Sequence, residues 1–170
     1  MKKLFLLTGK ARNGKDTVAD MIEGYYKNKK VVKLSYGAFP KNYVKLLTDW
    51  DGSDNSKPRD FLTEVSMRAR EINPNYMVRR MQEDINVLKN YVDVIIITDA
   101  RMLQEVEMPK NFKETVTVRV ERPNFDSPLT DNQQKHVLET TLDDYDDYDY
   151  VIINDGTLEQ LRVKVEAILK

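Results

Sequence analysis

The chain contains no cysteine, which excludes disulfide staples, zinc–thiolate sites and cysteine nucleophiles from its chemistry. It has one histidine, His136, too few for a typical transition-metal site, so that residue reads as a hydrogen-bonding structural side chain. Neither charge sign dominates: 27 basic residues stand against 28 acidic ones, for a net charge of -1. No overall field therefore favours nucleic acid or an anionic membrane, and any anion must be bound locally. Long apolar runs are missing as well. None approaches the roughly 18 residues that a membrane span needs, and Met1-Lys2-Lys3 leads straight into a short apolar strand with no small-residue cleavage site. These absences lead to the expectation of a cytoplasmic protein with neither nucleic acid nor membrane as partner.

What is present suits one compact domain of 170 residues. Apolar, β-branched runs recur at Leu4–Leu7, Val31–Leu34, Val92–Ile97, Val116–Val120 and Val151–Ile153, separated by helical pattern or loop. That alternation predicts a parallel sheet covered by helices. Val92–Thr98, apolar on both faces, belongs near the sheet centre. Asn73 is expected to cap a helix beginning at Pro74, with Met77, Met81, Ile85 and Leu88 as its apolar stripe. Thr157 and Gln160 have capping-box spacing ahead of a last helix carrying Leu161, Val165 and Ile168. The polar segments "TDWDGSDNSKPRD" and "RPNFDSPLTDNQQ" read as mobile loops. The acidic tract "LDDYDDYDY" reads as a solvated approach to the last strand rather than a metal site.

Chemistry concentrates in "LFLLTGKARNGKDTVADMI". Gly9 and Gly14-Lys15 have Walker A spacing between a strand and a helix. Glycines let the backbone wrap so that consecutive amides face phosphate, the helix N-terminus adds a favourable dipole, and Lys15 reaches the β and γ oxygens. The hydroxyl residue expected directly after the lysine is Asp16, with Thr17 next. Either could ligand Mg²⁺, which takes hard oxygen donors, and Asp16 could equally serve only the helix start. In "VIIITDARMLQE", Asp99 at a strand end fits a Walker B carboxylate, and Arg101 is placed to meet transferring phosphate. Arg59, Arg68, Arg70, Arg79 and Arg80 offer forks for a second phosphate-bearing substrate, with Arg59 the best placed because it follows a loop. Trp50 and Tyr76 could stack on a base or simply pack. No Asn-Lys-x-Asp guanine-reading motif is present.

With these residues in view, "GKARNGKDT" resembles the loop of phage-type deoxynucleoside monophosphate kinases and related phosphomevalonate kinases, where aspartate also follows the lysine. "RDFL", "NPNYMV", "TDARMLQE", "RP", "HVLE" and "INDGTLEQL" fall in that family's order, so the resemblance covers nearly the whole chain. The chain departs from the family at Leu138, where serine is usual, at Met102, where phenylalanine is usual, and near Tyr76, where a tryptophan is replaced. The resemblance implies an α/β three-layer P-loop fold with a five-stranded parallel sheet of order 2-3-1-4-5 flanked by helices. It implies a single P-loop kinase domain over 1–170, with an acceptor-binding region at about 38–90 and a lid loop at about 122–135. It also implies ATP and Mg²⁺ as cofactors and γ-phosphoryl transfer to a small-molecule nucleoside monophosphate, with a homodimer left open. Carried over, Lys15, Arg101 and Asp99 are catalytic, and Asp16, Thr17 and Asp99 serve the metal. Gly9, Arg12, Asn13, Gly14, Lys15, Asp16, Thr17, Arg122, Asn154 and Gly156 bind the nucleotide, while Arg59, Arg68, Arg70, Trp50 and Tyr76 bind the acceptor. The alternatives are a P-loop kinase of another small phosphorylated acceptor and a non-catalytic ATP-binding regulatory protein.

Overall fold

Short aliphatic runs can bury both faces only inside a sheet that helices cover on each side, and the runs Leu4–Leu7 and Val94–Ile97 do so here. The computed structural model describes residues 1–170. Its strands are β1 (Lys3–Thr8), β2 (Val31–Leu34), β3 (Val94–Ile97), β4 (Thr115–Glu121) and β5 (Tyr150–Ile153). All neighbours run parallel in the order β2-β3-β1-β4-β5, which is the expected 2-3-1-4-5 sheet. β1 takes the middle place, with Leu4 to Leu7 fully buried, and β3 lies beside it, Leu4 against Ile95 and Leu6 against Ile97.

Eight helices accompany the sheet: α1 (Lys15–Tyr25), α2 (Ala38–Leu47), α3 (Arg59–Ile72), α4 (Tyr76–Leu88), α5 (Leu103–Glu107), α6 (Asp131–Gln134), α7 (Val137–Thr140) and α8 (Leu158–Ala167). Successive strand residues point to opposite faces, so two cores form. Phe5, Leu7, Ile96 and Val118 meet Val18 and Ile22 of α1 and Leu161 and Val165 of α8. Leu4, Leu6, Ile95 and Ile97 meet Met77, Met81 and Ile85 of α4. The resulting three layers leave the carboxyl ends of the parallel strands as the place where loops converge. No helix is long and apolar enough to cross a membrane.

Two local expectations are revised. Asn73 does not cap α4: its amide donates to the Ala69 carbonyl at 3.0 Å and closes α3, and its side chain accepts from the Asn75 amide at 3.2 Å. So few residues separate the two helices that one asparagine serves the end of the first, and α4 begins only at Tyr76. The segment after α2 is held by its own side chains. The Ser53 amide donates to Asp51 Oδ1 at 2.7 Å, the Ser53 and Ser56 hydroxyls meet at 2.7 Å, and Trp50 Nε1 donates to the Ser53 carbonyl at 2.9 Å. The acidic tract runs into β5 with its aspartates exposed, as expected, while Tyr145 and Tyr148 between them lie against the α4-side core and Asp149 accepts from the Thr117 amide and hydroxyl at 2.7 and 2.9 Å. The capping box of Thr157 and Gln160 forms as the spacing predicts.

Ile96 is fully buried in the core that α1 and α8 form against the sheet. Ile96→Ala is expected to cost about 3–4 kcal/mol, the range for deleting a buried aliphatic side chain that leaves a cavity. Urea unfolding reads this directly, and a loss under about 1 kcal/mol would contradict the burial of β3 on that face.

Candidate active site

The turn after β1 is shaped by close approaches that only glycine allows. Gly9 has φ 129°, and a β-carbon there would collide with the Val120 carbonyl of β4; Gly14 has φ 98°, caps α1, and leaves no room beside the Asn154 amide. Two side-chain amides tie the loop to neighbouring strand ends. Asn13 Nδ2 donates to the Val120 carbonyl at 3.0 Å, and Asn154 Nδ2, just after β5, donates to the Asn13 carbonyl at 3.0 Å. Asn154 thereby supports the phosphate loop, a placement that naming it only as a nucleotide-binding residue does not foresee.

Lys15 is buried at the first turn of α1. Its ammonium donates to the Gly9 carbonyl at 2.8 Å and to the Lys10 carbonyl at 2.7 Å, folding back on its own loop. Burial pushes its pKa down to about 8, and the nearby Arg101 charge adds to the shift. A polyphosphate in the loop would raise it again, since an adjacent anion favours the ammonium.

A cavity of about 770 Å³ opens over this loop, lined by Arg12, Lys15, Lys57, Arg59, Arg101 and Arg122 among its cations and by Asp16, Asp54 and Asp99 as its carboxylates. Arg122 stacks on Phe125 with 4.1 Å between guanidinium and ring centre, and Asn154, Gly156, Leu158 and Leu161 line the cavity too. A second cavity of about 700 Å³ adjoins it, between Asp60, Thr63, Glu64 and Met67 of α3 and the segment Leu129–Glu139. Gly37, Lys57, Arg59 and Arg101 belong to the walls of both, so the two spaces meet at these residues. Gln133 Nε2 donates to Asp60 Oδ1 at 2.7 Å, bridging the second cavity between α6 and α3.

The residues named for a metal divide into two groups. Asp16 is exposed, and Asp16 and Thr17 both line the first cavity, so their oxygens face the space where phosphates would sit. Asp99 is already engaged: Oδ1 accepts from the Tyr36 amide at 2.7 Å, and Oδ2 from the Ser35 hydroxyl at 2.5 Å and the Gly37 amide at 3.0 Å. A carboxylate so occupied suits holding a metal-bound water better than direct ligation. The set as a whole supplies hard oxygen donors and leaves room for water, which fits Mg²⁺.

Among the residues named for an acceptor, Arg59 and Arg70 reach the first cavity. Arg68 does not: its side chain is 72% exposed and pairs with Glu71. Trp50 lies outside both cavities with Lys45 over its ring, and Tyr76 packs edge-on against Phe39 in the α4-side core. Arg70 has a second engagement. It pairs with Glu105, which is 1% exposed and also accepts from the Arg101 amide at 2.8 Å and the Met102 amide at 3.2 Å. Burial pushes the Glu105 carboxyl up, and Arg70 pulls it back.

Asp54, Lys57 and Glu139 were not named from sequence. Asp54 meets Arg12 of the phosphate loop, and also Lys57 and Arg59 at 3.6 Å each, gathering cations from both cavities on one carboxylate. Glu139 meets Arg101 at 2.7 Å and accepts from the Ala11 amide at 3.1 Å. The polar loop around Asp54 offered only a dense charge pattern, and Glu139 only the "HVLE" segment.

Comparison with known proteins fits this geometry. The family model described as deoxynucleotide monophosphate kinase matches residues 63–165. A deoxynucleotide monophosphate kinase of Escherichia phage RB69 is 27% identical over 166 residues, spanning 82% of this chain and 64% of the phage protein. This chain thus covers under two thirds of that relative's length. Among solved structures, a shikimate kinase from Bacteroides thetaiotaomicron superposes with a TM-score of 0.57 at 13% identity, over 98% of each chain. An APS kinase from Mycobacterium tuberculosis superposes with a TM-score of 0.54 at 14% identity, over 99% of this chain and 96% of its own. At such identities these two likenesses speak to the fold.

Removing Arg70 would leave the buried Glu105 carboxylate without its ion partner. Arg70→Met is therefore expected to cost about 3–5 kcal/mol of stability, the range for breaking a buried pair on one side. Chemical denaturation checks this, and an unchanged unfolding midpoint would show that Arg70 is free for substrate alone.

Proposed function

This chain belongs to the deoxynucleotide monophosphate kinase family, and from that premise we propose that it transfers the γ-phosphoryl group of ATP, with Mg²⁺, to a deoxynucleoside monophosphate. The observation that carries the reading is the pair of adjoining cavities that share Arg59 and Arg101. A phosphotransferase must bring a donor and an acceptor phosphate together, and a nucleotide sensor has no need of the second space. The single domain divides accordingly, with the acceptor held by the region at about 38–90 and covered by the lid at about 122–135.

The chemistry follows from placement and charge. Amides of the loop from Gly9 to Thr17 and the N-terminus of α1 hold the donor's phosphates, because both present N–H groups to an anion. Lys15 exchanges the Gly9 and Lys10 carbonyls for β and γ oxygens, and the anion strengthens its hold on the proton that burial weakens. Arg101, at the junction, faces the migrating group, and Arg59 with Lys57 draws in the acceptor phosphate. Asp16 and Thr17 would hold Mg²⁺, with Asp99 steadying a bound water; the ion supplies neutralisation of phosphate charge. Arg122, stacked on Phe125 in the wall of the first cavity, covers the donor. Little covalent work falls to the protein, since positioning and electrostatic stabilisation carry phosphoryl transfer.

Lys15→Ala tests this reading. The variant is expected to lose about 10²–10³-fold or more of monophosphate-dependent ATP turnover, as removal of a key charge stabiliser does, while circular dichroism stays that of the parent. Near-normal turnover in the variant would sink the assignment.

A further inference from the structure

We propose that Glu139 is a positioning residue that fixes the Arg101 guanidinium and the phosphate loop in one frame; this rests on the kinase reading of the same site. Its carboxylate is shared between two elements far apart in the sequence. One oxygen lies 2.7 Å from Arg101 Nη1 and the other accepts from the Ala11 amide at 3.1 Å. The pair is sheltered, with side-chain exposures of 23% for Arg101 and 14% for Glu139.

Electrostatics makes this placement informative. A carboxylate beside a phosphate site repels the ligand and partly neutralises the arginine meant to attract it, so on ground-state binding alone Glu139 is adverse. Its contacts are geometric ones. Arg101 is gripped at its backbone by Glu105, at 2.8 Å, and at its guanidinium by Glu139, leaving the long side chain little rotamer freedom to lose when phosphate arrives. The proximity extends to Lys15, whose proton affinity Arg101 lowers and Glu139 raises. Glu139 is itself anchored. The His136 ring accepts from the Leu138 amide at 3.2 Å and caps α7, and Lys10 of the phosphate loop pairs with Asp143 at 2.9 Å just beyond that helix. The covering segment therefore has a fixed end at α7, locked to the loop that would hold the donor.

The signature separates positioning from a merely structural pair. Glu139→Gln keeps an oxygen for the Ala11 amide and removes the charge facing Arg101. With kcat set by geometry, that variant is expected to lose about 10–100-fold in kcat, as a misplaced group does. KM for ATP should meanwhile hold or fall, since a repulsive charge is gone. In an Arg101→Ala background the same change should cost nothing further, because two residues acting as one unit are not additive. The experiment is this four-protein cycle, assayed by monophosphate-dependent ADP release and paired with thermal melts. Glu139→Asp, which keeps the charge but shortens the reach, gives the same readout should the glutamine variant fold poorly. A raised KM with kcat intact, multiplicative losses in the double variant, or lowered melting alone would overturn the proposal while leaving the kinase reading in place. A parent protein that binds ATP yet releases no ADP with any monophosphate would overturn the kinase reading, and this proposal with it.

Discussion

Burying an ammonium group is costly unless something accepts its hydrogen bonds, and Lys15 is buried where its partners are two carbonyls of its own loop. The rest of the site depends on that arrangement. The loop must curl tightly enough for Gly9 and Lys10 to reach back to the lysine, which requires Gly9 at positive φ against β4 and Gly14 at positive φ against Asn154. Asn13 and Asn154 hold the curl in place with one amide hydrogen bond each. A phosphate chain that replaced the carbonyls would meet an ammonium already in position and would offset the burial that lowers its pKa.

Around the lysine, the parallel sheet determines what can converge. Loops leaving the carboxyl ends of β1, β3, β4 and β5 bring the phosphate loop, Asp99, Arg122 and Asn154 to one edge, as open parallel sheets do. Carboxylates then organise the excess of cations. Asp54 gathers Arg12, Lys57 and Arg59, Glu105 holds Arg70, and Glu139 holds Arg101. Each pair keeps a positive side chain ordered where phosphate would otherwise be the only counter-charge.

Much of this was legible in the sequence wherever the signal is local. The strand runs, the glycine spacing around Lys15, the capping box at Thr157 and the apolar stripe of α4 depend on neighbours a few residues apart. The sequence leaves open what depends on distant or shared partners. Arg70 reads as an acceptor arginine, and its pairing with Glu105 is out of sight because Glu105 lies on another element. Arg68, near it on α3, looked equally suitable and points to solvent beside Glu71. Asn73 carries a good N-cap side chain but sits at the end of the preceding helix, which claims it. Trp50 invited a stacking role, whereas its indole closes a turn on Ser53. Asp54 carries no pattern of its own and Glu139 only the "HVLE" segment; their contacts are visible only once three loops meet.

The account stands on two phosphate-bearing ligands meeting across the shared wall of Arg59 and Arg101. The most direct measurement is coupled ADP release with ATP and Mg²⁺ against each common ribo- and deoxynucleoside monophosphate in turn. The account predicts release that depends on adding one or a few deoxynucleoside monophosphates, with the matching diphosphate formed in equal amount. ATP binding without stimulation by any monophosphate would contradict it.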